Sequence, residues 1–351
     1  MSPFVSPAGR RFLWALALFT FLAAGFVSFF LPTDPDGKEP PVTVILQPGL
    51  STAGIARRLE SAGVIRSRWA FQLVALLKGK TSLLKAGGYE IAGRETPWSI
   101  VDRIAAHDVA DAALTIPEGL NAGEVADRVA AVLGCTREEF LAAVFDTAAA
   151  AGHGIPTRNF EGYLFPDTYD VIPGSPPAEL VKRLVTRMIE LYDRSFRARA
   201  DSIGFSRHEV LTLASLVEAE AQVARERPKI AAVFMNRLRA GMKLQSDPTV
   251  AFVIGGFMGV RPARIYEKDL AVQSPYNTYQ VTGLPPGPIC SPGESSIRAA
   301  LFPEPGCRDY YFVAAGDGSH LFSPTNDAHN EARRRVARNA RSQEGKKSRA
   351  D

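Results

Sequence analysis

Between Val210 and Val217 the chain reads VLTLASLV, and it then runs straight into Glu218 and Glu220. Only Thr212 and Ser215 interrupt the apolar residues, so a helix here has no polar face and must be enclosed nearly all round. That requires a folded body built around this segment, and it carries two carboxyl groups to the edge of an apolar interior. An ionised, unpaired carboxylate there costs on the order of several kcal/mol, so it finds a partner or binds its proton more tightly. A carboxyl that stays protonated near neutral pH is what general acid catalysis uses. The plainer alternative is an exposed helix end with Glu218 and Glu220 paired to Arg225 or Arg227. Glu218 continues the face of Leu211 and Ala214, but residues i and i+2 point to different faces, and the sequence does not rank the two acids.

A second segment sets the location. Arg10 and Arg11 precede an uncharged apolar run from Phe12 to Leu31, about 20 residues and the span of one membrane helix. A cleavable signal peptide is the rival reading, but its apolar core is shorter and no small-x-small site follows Ala24. The expectation is an uncleaved anchor over 12–31 with residues 1–11 in the cytoplasm, which places the remainder on the outer face of the inner membrane. The 351 residues are 46% hydrophobic and 22% charged, ordinary for one large or two smaller domains. The net charge of +4 gives no reason to expect nucleic acid as a partner. Cys135, Cys290 and Cys307 make an odd count in an oxidising compartment. Cys290 and Cys307 lie in Pro/Gly-rich loops where a bridge is one option, and Cys135 reads as a core thiol. No Cys/His spacing suits zinc.

After a polar linker at 32–41 comes an internal repeat. VILQPGLSTAGIARRL (Val44 to Leu59) aligns with LTIPEGLNAGEVADRV (Leu114 to Val129), Gly49 on Gly119 and Ser51 on Asn121. Each copy reads as a strand, a glycine turn, a Ser or Asn cap and an amphipathic helix. GGYEIAG (87–93) reads as a strand, and Thr96 with Pro97 starts another helix. Residues 42–114 thus form a small βα module whose PG-x-S-x-x-x-I-A pattern resembles the LysM glycan-binding module. Glycan contact and a spacer role both remain open.

The rest, 115–335, reads as a mixed helix and strand domain, so the whole chain is of α+β class, with a basic tail at 336–351. Three segments in it group polar and aromatic side chains as cleft-forming loops do, although the aromatics of the first and third suit a folded loop core equally well. NFEGYLFPDTYDV (159–171) offers Glu161 and Asp167, KLQSDPT (243–249) offers Gln245, Asp247 and Thr249, and SPYNTYQVTGLPPGPICSPG (274–293) offers Tyr276, Asn277 and Tyr279. Helices are expected from Pro177 to about 200, from Arg207 to about 224, and from Pro228 to near Gly241, a natural C′ residue. YYFVAA (310–315) reads as a strand followed by an Asp317-Gly318 hairpin turn. His320 and His329 read as surface or core-edge residues.

In order along the chain, EGYLFPDTY, LASLVEAE, VFMNRLRAGMKLQSDPTV, YNTY, GLPPGPI and YFVA resemble the endolytic murein transglycosylases, the MltG-like or YceG-like family of bacterial envelope enzymes. The resemblance runs from the anchor to about Arg333. It implies cleavage of nascent peptidoglycan strands between N-acetylmuramic acid and N-acetylglucosamine, leaving 1,6-anhydromuramyl ends and terminating elongation. The family glutamate falls on Glu218, with Glu161, Glu220, Gln245, Asp247, Thr249, Tyr276, Asn277 and Tyr279 as candidate substrate contacts. The implied partners are glycan strands, the inner membrane and penicillin-binding proteins of elongation or division; no metal or organic cofactor is implied. Two positions depart from the family pattern: Ala219 stands where a lysine is common, and Ser291 where an asparagine is common. A non-catalytic glycan-binding scaffold is one alternative. A hydrolytic muramidase is another, and it needs a second carboxylate within about 5–9.5 Å of Glu218; Glu161, Asp167, Glu220 and Asp247 are the candidates.

Overall fold

The computed structural model describes residues 7–347 apart from 48, 110–111, 258 and 263, with side chains described outside 7–13, 15, 17, 18 and 340–347. The architecture is α+β and the chain forms two compact units. The first takes in the residues up to Ala113 together with Val132–Gly134 and Asp170–Pro176; the second comprises Leu114–Ala131, Cys135–Tyr169 and the chain from Pro177 on.

The first unit contains α1 (Pro7–Ser28), β1 (Val42–Leu46), α2 (Thr52–Ser61), α3 (Arg68–Leu77), β2 (Gly87–Ile91) and α4 (Pro97–Ala106). β1 and β2 are antiparallel, with Val44 opposite Tyr89. Alternation buries Val44 and Leu46 on one face of β1, where they meet Leu59, Phe71, Ile91, Ile100 and Ile104 in one apolar core. Each such fully buried side chain stabilises by about 1.5–3 kcal/mol before chain entropy is set against it. The helix starts are those the sequence marks: Ser51 Oγ accepts the Gly54 N–H at 3.2 Å, and Thr96 and Ser99 form a capping box ahead of Pro97. The expected anchor at 12–31 corresponds to helix α1 followed by a short turn, and residues 1–6 lie outside the described part. Among the described residues no helix is long and apolar enough to cross a membrane.

β3 (Ala112–Thr115) pairs with β4 (Thr168–Val171). Between them come α5 (Ala122–Leu133), α6 (Arg137–Val144) and α7 (Thr147–Gly152). The second copy of the repeat keeps its turn and cap: Gly119 has φ +80°, as Gly49 has +81°, and Asn121 Oδ1 accepts the Glu124 N–H at 2.8 Å. Then follow α8 (Pro177–Ser195), α9 (Arg197–Ile203), α10 (Arg207–Glu220), α11 (Arg227–Arg239), α12 (Asp247–Gly255), α13 (Glu294–Leu301), the antiparallel pair β5 (Tyr311–Ala314) and β6 (His320–Ser323), and α14 (Asn326–Lys347). The single helix expected from Pro177 to about 200 is two, because Phe196 leaves helical geometry with φ −130°. α10 stops at Glu220 rather than near 224, since Ala221 turns extended at ψ 104°.

α10 is the axis of the second unit. All eight residues from Val210 to Val217 are buried, as α11 and α13 pack against it with Ile230, Val233, Phe234, Ile297 and Leu301. Its start is fixed by a Ser206–Glu209 capping box. Its two internal hydroxyls are satisfied, Thr212 Oγ1 on the His208 carbonyl and Ser215 Oγ on the Thr212 carbonyl. The three cysteines are free, which rules out the Cys290–Cys307 bridge: Cys290 is buried with Sγ donating to the Ser215 carbonyl at 3.4 Å, and Cys307 Sγ lies near Asp309.

Candidate active site

The abrupt end of α10 presents its two acids to different surroundings. The Glu218 side chain is only 6% exposed. Its Oε1 accepts from Arg227 Nη2 at 2.9 Å and its Oε2 from the Gly293 N–H at 3.0 Å. Arg227 begins α11 and is itself braced by Ser296, which accepts from its Nε at 3.0 Å; Gly293 is the N-cap of α13. Glu218 therefore caps the start of α13, where a helix-end N–H and the helix dipole favour negative charge, and pairs with the guanidinium of Arg227. Of the two partners the sequence offered, Arg227 holds Glu218, and the helix end is enclosed rather than exposed.

Glu220 turns into a cleft of about 810 Å³ lined also by Gln245, Asp247, Tyr279, Tyr311 and His329. Its Oε1 accepts from Ser246 Oγ at 2.6 Å. Burial pushes its carboxyl up to about 7, with the Asp247 charge adding to this and the Ser246 and Arg237 contacts opposing it. Tyr279 Oη donates to Asp247 Oδ1 at 2.6 Å. Two loops that are separate in sequence make this wall: the Gln245 N–H donates to the Thr278 carbonyl at 3.1 Å and the Ser246 N–H to Thr278 Oγ1 at 2.9 Å. Gln245 has φ +50°, a conformation costly for a residue with a side chain and frequent at functional sites.

The remaining candidates are placed differently. Thr249 and Asn277 are fully buried; Thr249 Oγ1 donates to the Ser246 carbonyl and Asn277 Nδ2 to the Leu270 and Val272 carbonyls. They shape the cleft loops from behind. Tyr276 packs its ring on Phe252 and Phe257. Glu161 is 1% exposed, with Oε2 accepting the Ala122 N–H at the start of α5 and Oε1 unpaired. Burial pushes it up to about 8. Asp167 pairs with Arg187 at 3.3 Å on the surface.

Sequence reasoning missed the opposite wall. Tyr311 and His329 stack with centroids 5.3 Å apart, and His320 joins Glu226 through Nδ1 at 2.8 Å. An aromatic pair beside a polar rim suits a sugar ring. Nothing local marks these residues, because a hairpin strand and a distant helix bring them together. Also missed was Glu118, whose Oε2 lies 3.7 Å from the Arg227 Nη2 that holds Glu218. Burial and then the Glu218 charge hold the Glu118 carboxyl above the usual range. Among the described residues no group of His, Cys, Asp and Glu could hold a metal ion.

Residues 44–335 match the model of the YceG-like family. The chain belongs to that family. Among its YceG-like relatives it is 32% identical over 322 residues, 87% of each chain, to a protein of Bacillus subtilis (strain 168) named endolytic murein transglycosylase. It is 28% identical over 354 residues to a protein of the same name from Streptococcus pneumoniae (strain ATCC BAA-255 / R6), with 91% of this chain and 63% of that one covered. The crystal structure of a yceG-like protein from Listeria monocytogenes superimposes with a TM-score of 0.58 at 32% identity, covering 83% of this chain and 98% of that one.

Proposed function

We propose that this YceG-like protein is an endolytic murein transglycosylase. It cuts the bond between N-acetylmuramic acid and N-acetylglucosamine inside a peptidoglycan strand. The observation that carries the reading is the end of α10, where a helix buried on every side delivers Glu218 and Glu220 to the edge of the apolar interior of the second unit. In the reaction a carboxylic acid donates its proton to the glycosidic oxygen as the C1–O4 bond breaks. The same group, now a carboxylate, takes the proton of the muramyl C6 hydroxyl as O6 bonds to C1, which closes the 1,6-anhydro ring. The nucleophile belongs to the substrate, so its effective concentration is high and no water has to be positioned.

Glu218 is the acid that the family pattern favours. Its contacts with Arg227 and Gly293 suit the carboxylate half of the cycle, and strand entry has to loosen them for the acid half. A second assignment rests on a specific observation: Glu220 opens into the large cleft and burial carries it up to about 7, which suits a proton donor near neutral pH. In that assignment Glu218 and Arg227 hold the helix end in place. Gln245, Asp247, Tyr279 and the Tyr311–His329 pair line the path of the glycan in either case.

The anchor at 12–31 belongs to the same proposal, supported by Arg10 and Arg11 ahead of the apolar run and by outward-facing Trp14, Phe19, Phe21 and Leu22 on α1. It would hold the catalytic unit at the outer face of the inner membrane, on nascent strands and near the penicillin-binding proteins. The LysM-like first unit would hold the strand. The test is mass spectrometry of uncrosslinked strands incubated with the wild type, Glu218→Gln and Glu220→Gln. Internal cuts with anhydromuramyl ends, lost in one variant, support the reaction and name its acid. Ends carrying one added water point to a hydrolase, and binding without cleavage to a scaffold.

A further inference from the structure

Three chain segments converge on Glu218, and one of them brings a second carboxylate. The turn at 117–120 is clamped to the loop before α13 by two backbone bonds, Gly119 N–H to the Ser291 carbonyl and Ser291 N–H to the Leu120 carbonyl, each 2.8 Å. Arg261, ion-paired to Glu124, fixes the same turn by donating to the Gly119 carbonyl at 2.8 Å. The turn is close to the acid itself, since a Cβ on Gly119 would lie 3.6 Å from Glu218 Cγ. The Glu118 carboxyl rests on the Cα of Gly293, so closely that a Cβ there would collide with it. Gly293 in turn donates its N–H to Glu218. The two glutamates thus share one glycine and one arginine.

We propose that Glu118 is a positioning residue for strand cleavage: its carboxylate, 3.7 Å from the guanidinium that binds Glu218, competes for Arg227 and so loosens the hold of that guanidinium on Glu218. Two carboxylates and one arginine leave one negative charge in excess, and like charges at short range do not both ionise freely. After burial, the Glu218 charge is the next cause that holds the Glu118 carboxyl above the usual range. The other charges around the pair are Arg298 and Glu294, which bind each other at 2.8 Å on α13. Together with Arg227, Glu118 and Phe302 they line a hollow of about 620 Å³. The inference rests on the transglycosylase reading with Glu218 as its acid.

The test is the pH dependence of strand cleavage by the full-length protein, comparing wild type, Glu118→Gln, Glu118→Asp and Glu294→Gln. The Glu218 side-chain carboxyl resonance is followed by ¹³C NMR over the same pH range. Removing the Glu118 charge should move the alkaline limb, and the Glu218 titration, down by about 0.5–1 pH unit. The effect is partly screened because Glu118 is 46% exposed, and it should shrink in high salt. Glu118→Asp keeps the charge and should reverse most of the shift, and Glu294→Gln should move the limb less. A Glu118→Gln profile and titration that coincide with wild type overturn the proposal, as does a loss of rate with no movement of the limb. Absence of anhydromuramyl ends from the wild type overturns the reaction instead, and the NMR titration still decides whether Glu118 governs the proton on Glu218.

Discussion

Glu218 and Glu220 stand two residues apart on α10, yet Glu218 binds Arg227 at 2.9 Å while Glu220 binds Ser246 at 2.6 Å and faces the large cleft. The helical step between them, about 200°, separates a carboxyl held by arginine from one that burial pushes up to about 7. Glu218→Gln should lower the yield of anhydromuramyl ends by about 10²–10⁴-fold, the usual contribution of a general acid. Far-ultraviolet circular dichroism should stay native. If Glu220→Gln shows that loss and Glu218→Gln keeps substantial rate, the acid is Glu220.

Glu161 sets a dependence of stability on pH. Burial raises its folded pKa to about 8 from the ordinary carboxyl value of 4.5, so the folded state holds a proton that the unfolded state has released. Stability is then fully present below the unfolded value and falls as pH rises towards 8. Glu161→Gln removes the titration and keeps an acceptor for the Ala122 N–H. The Tm of this variant should drop less between pH 5 and 8 than that of the wild type; parallel curves would remove Glu161 as the cause.

Gly162 tests the packing under the aromatic loop. It has φ +77°, and a Cβ there would run into the Pro288 ring. Gly162→Ala should destabilise by about 2–4 kcal/mol from backbone strain and overpacking together, read as a lower urea midpoint with an unchanged slope. A midpoint equal to wild type would mean that the Pro288 loop yields freely.

Tyr279 and Asp247 make a polar contact on the cleft wall at 2.6 Å. Tyr279→Phe removes one hydrogen bond, worth about 1 kcal/mol. If the wall binds glycan without joining the chemistry, KM should rise about fivefold with kcat little changed. A fall in kcat at constant KM would place Tyr279 in the transition state instead.

What depends on local periodicity and turn chemistry is legible in the sequence. The enclosed helix at 210–217, the paired glycine turns at 49 and 119, the Ser51, Asn121 and Thr96 caps, and the C′ role of Gly241 at φ +65° all follow from spacing and from the conformations each residue type permits. The α+β class and the transglycosylase family were legible because several short motifs occur in one order. Which polar side chains reach a cleft follows from packing between distant segments. Thr249 and Asn277 look like sugar contacts in sequence and are buried scaffolding, while Glu118, Tyr311 and His329 look ordinary and lie beside the acids. A polar side chain serves equally well against a backbone carbonyl or a substrate hydroxyl, and only the packing of distant segments settles which it meets.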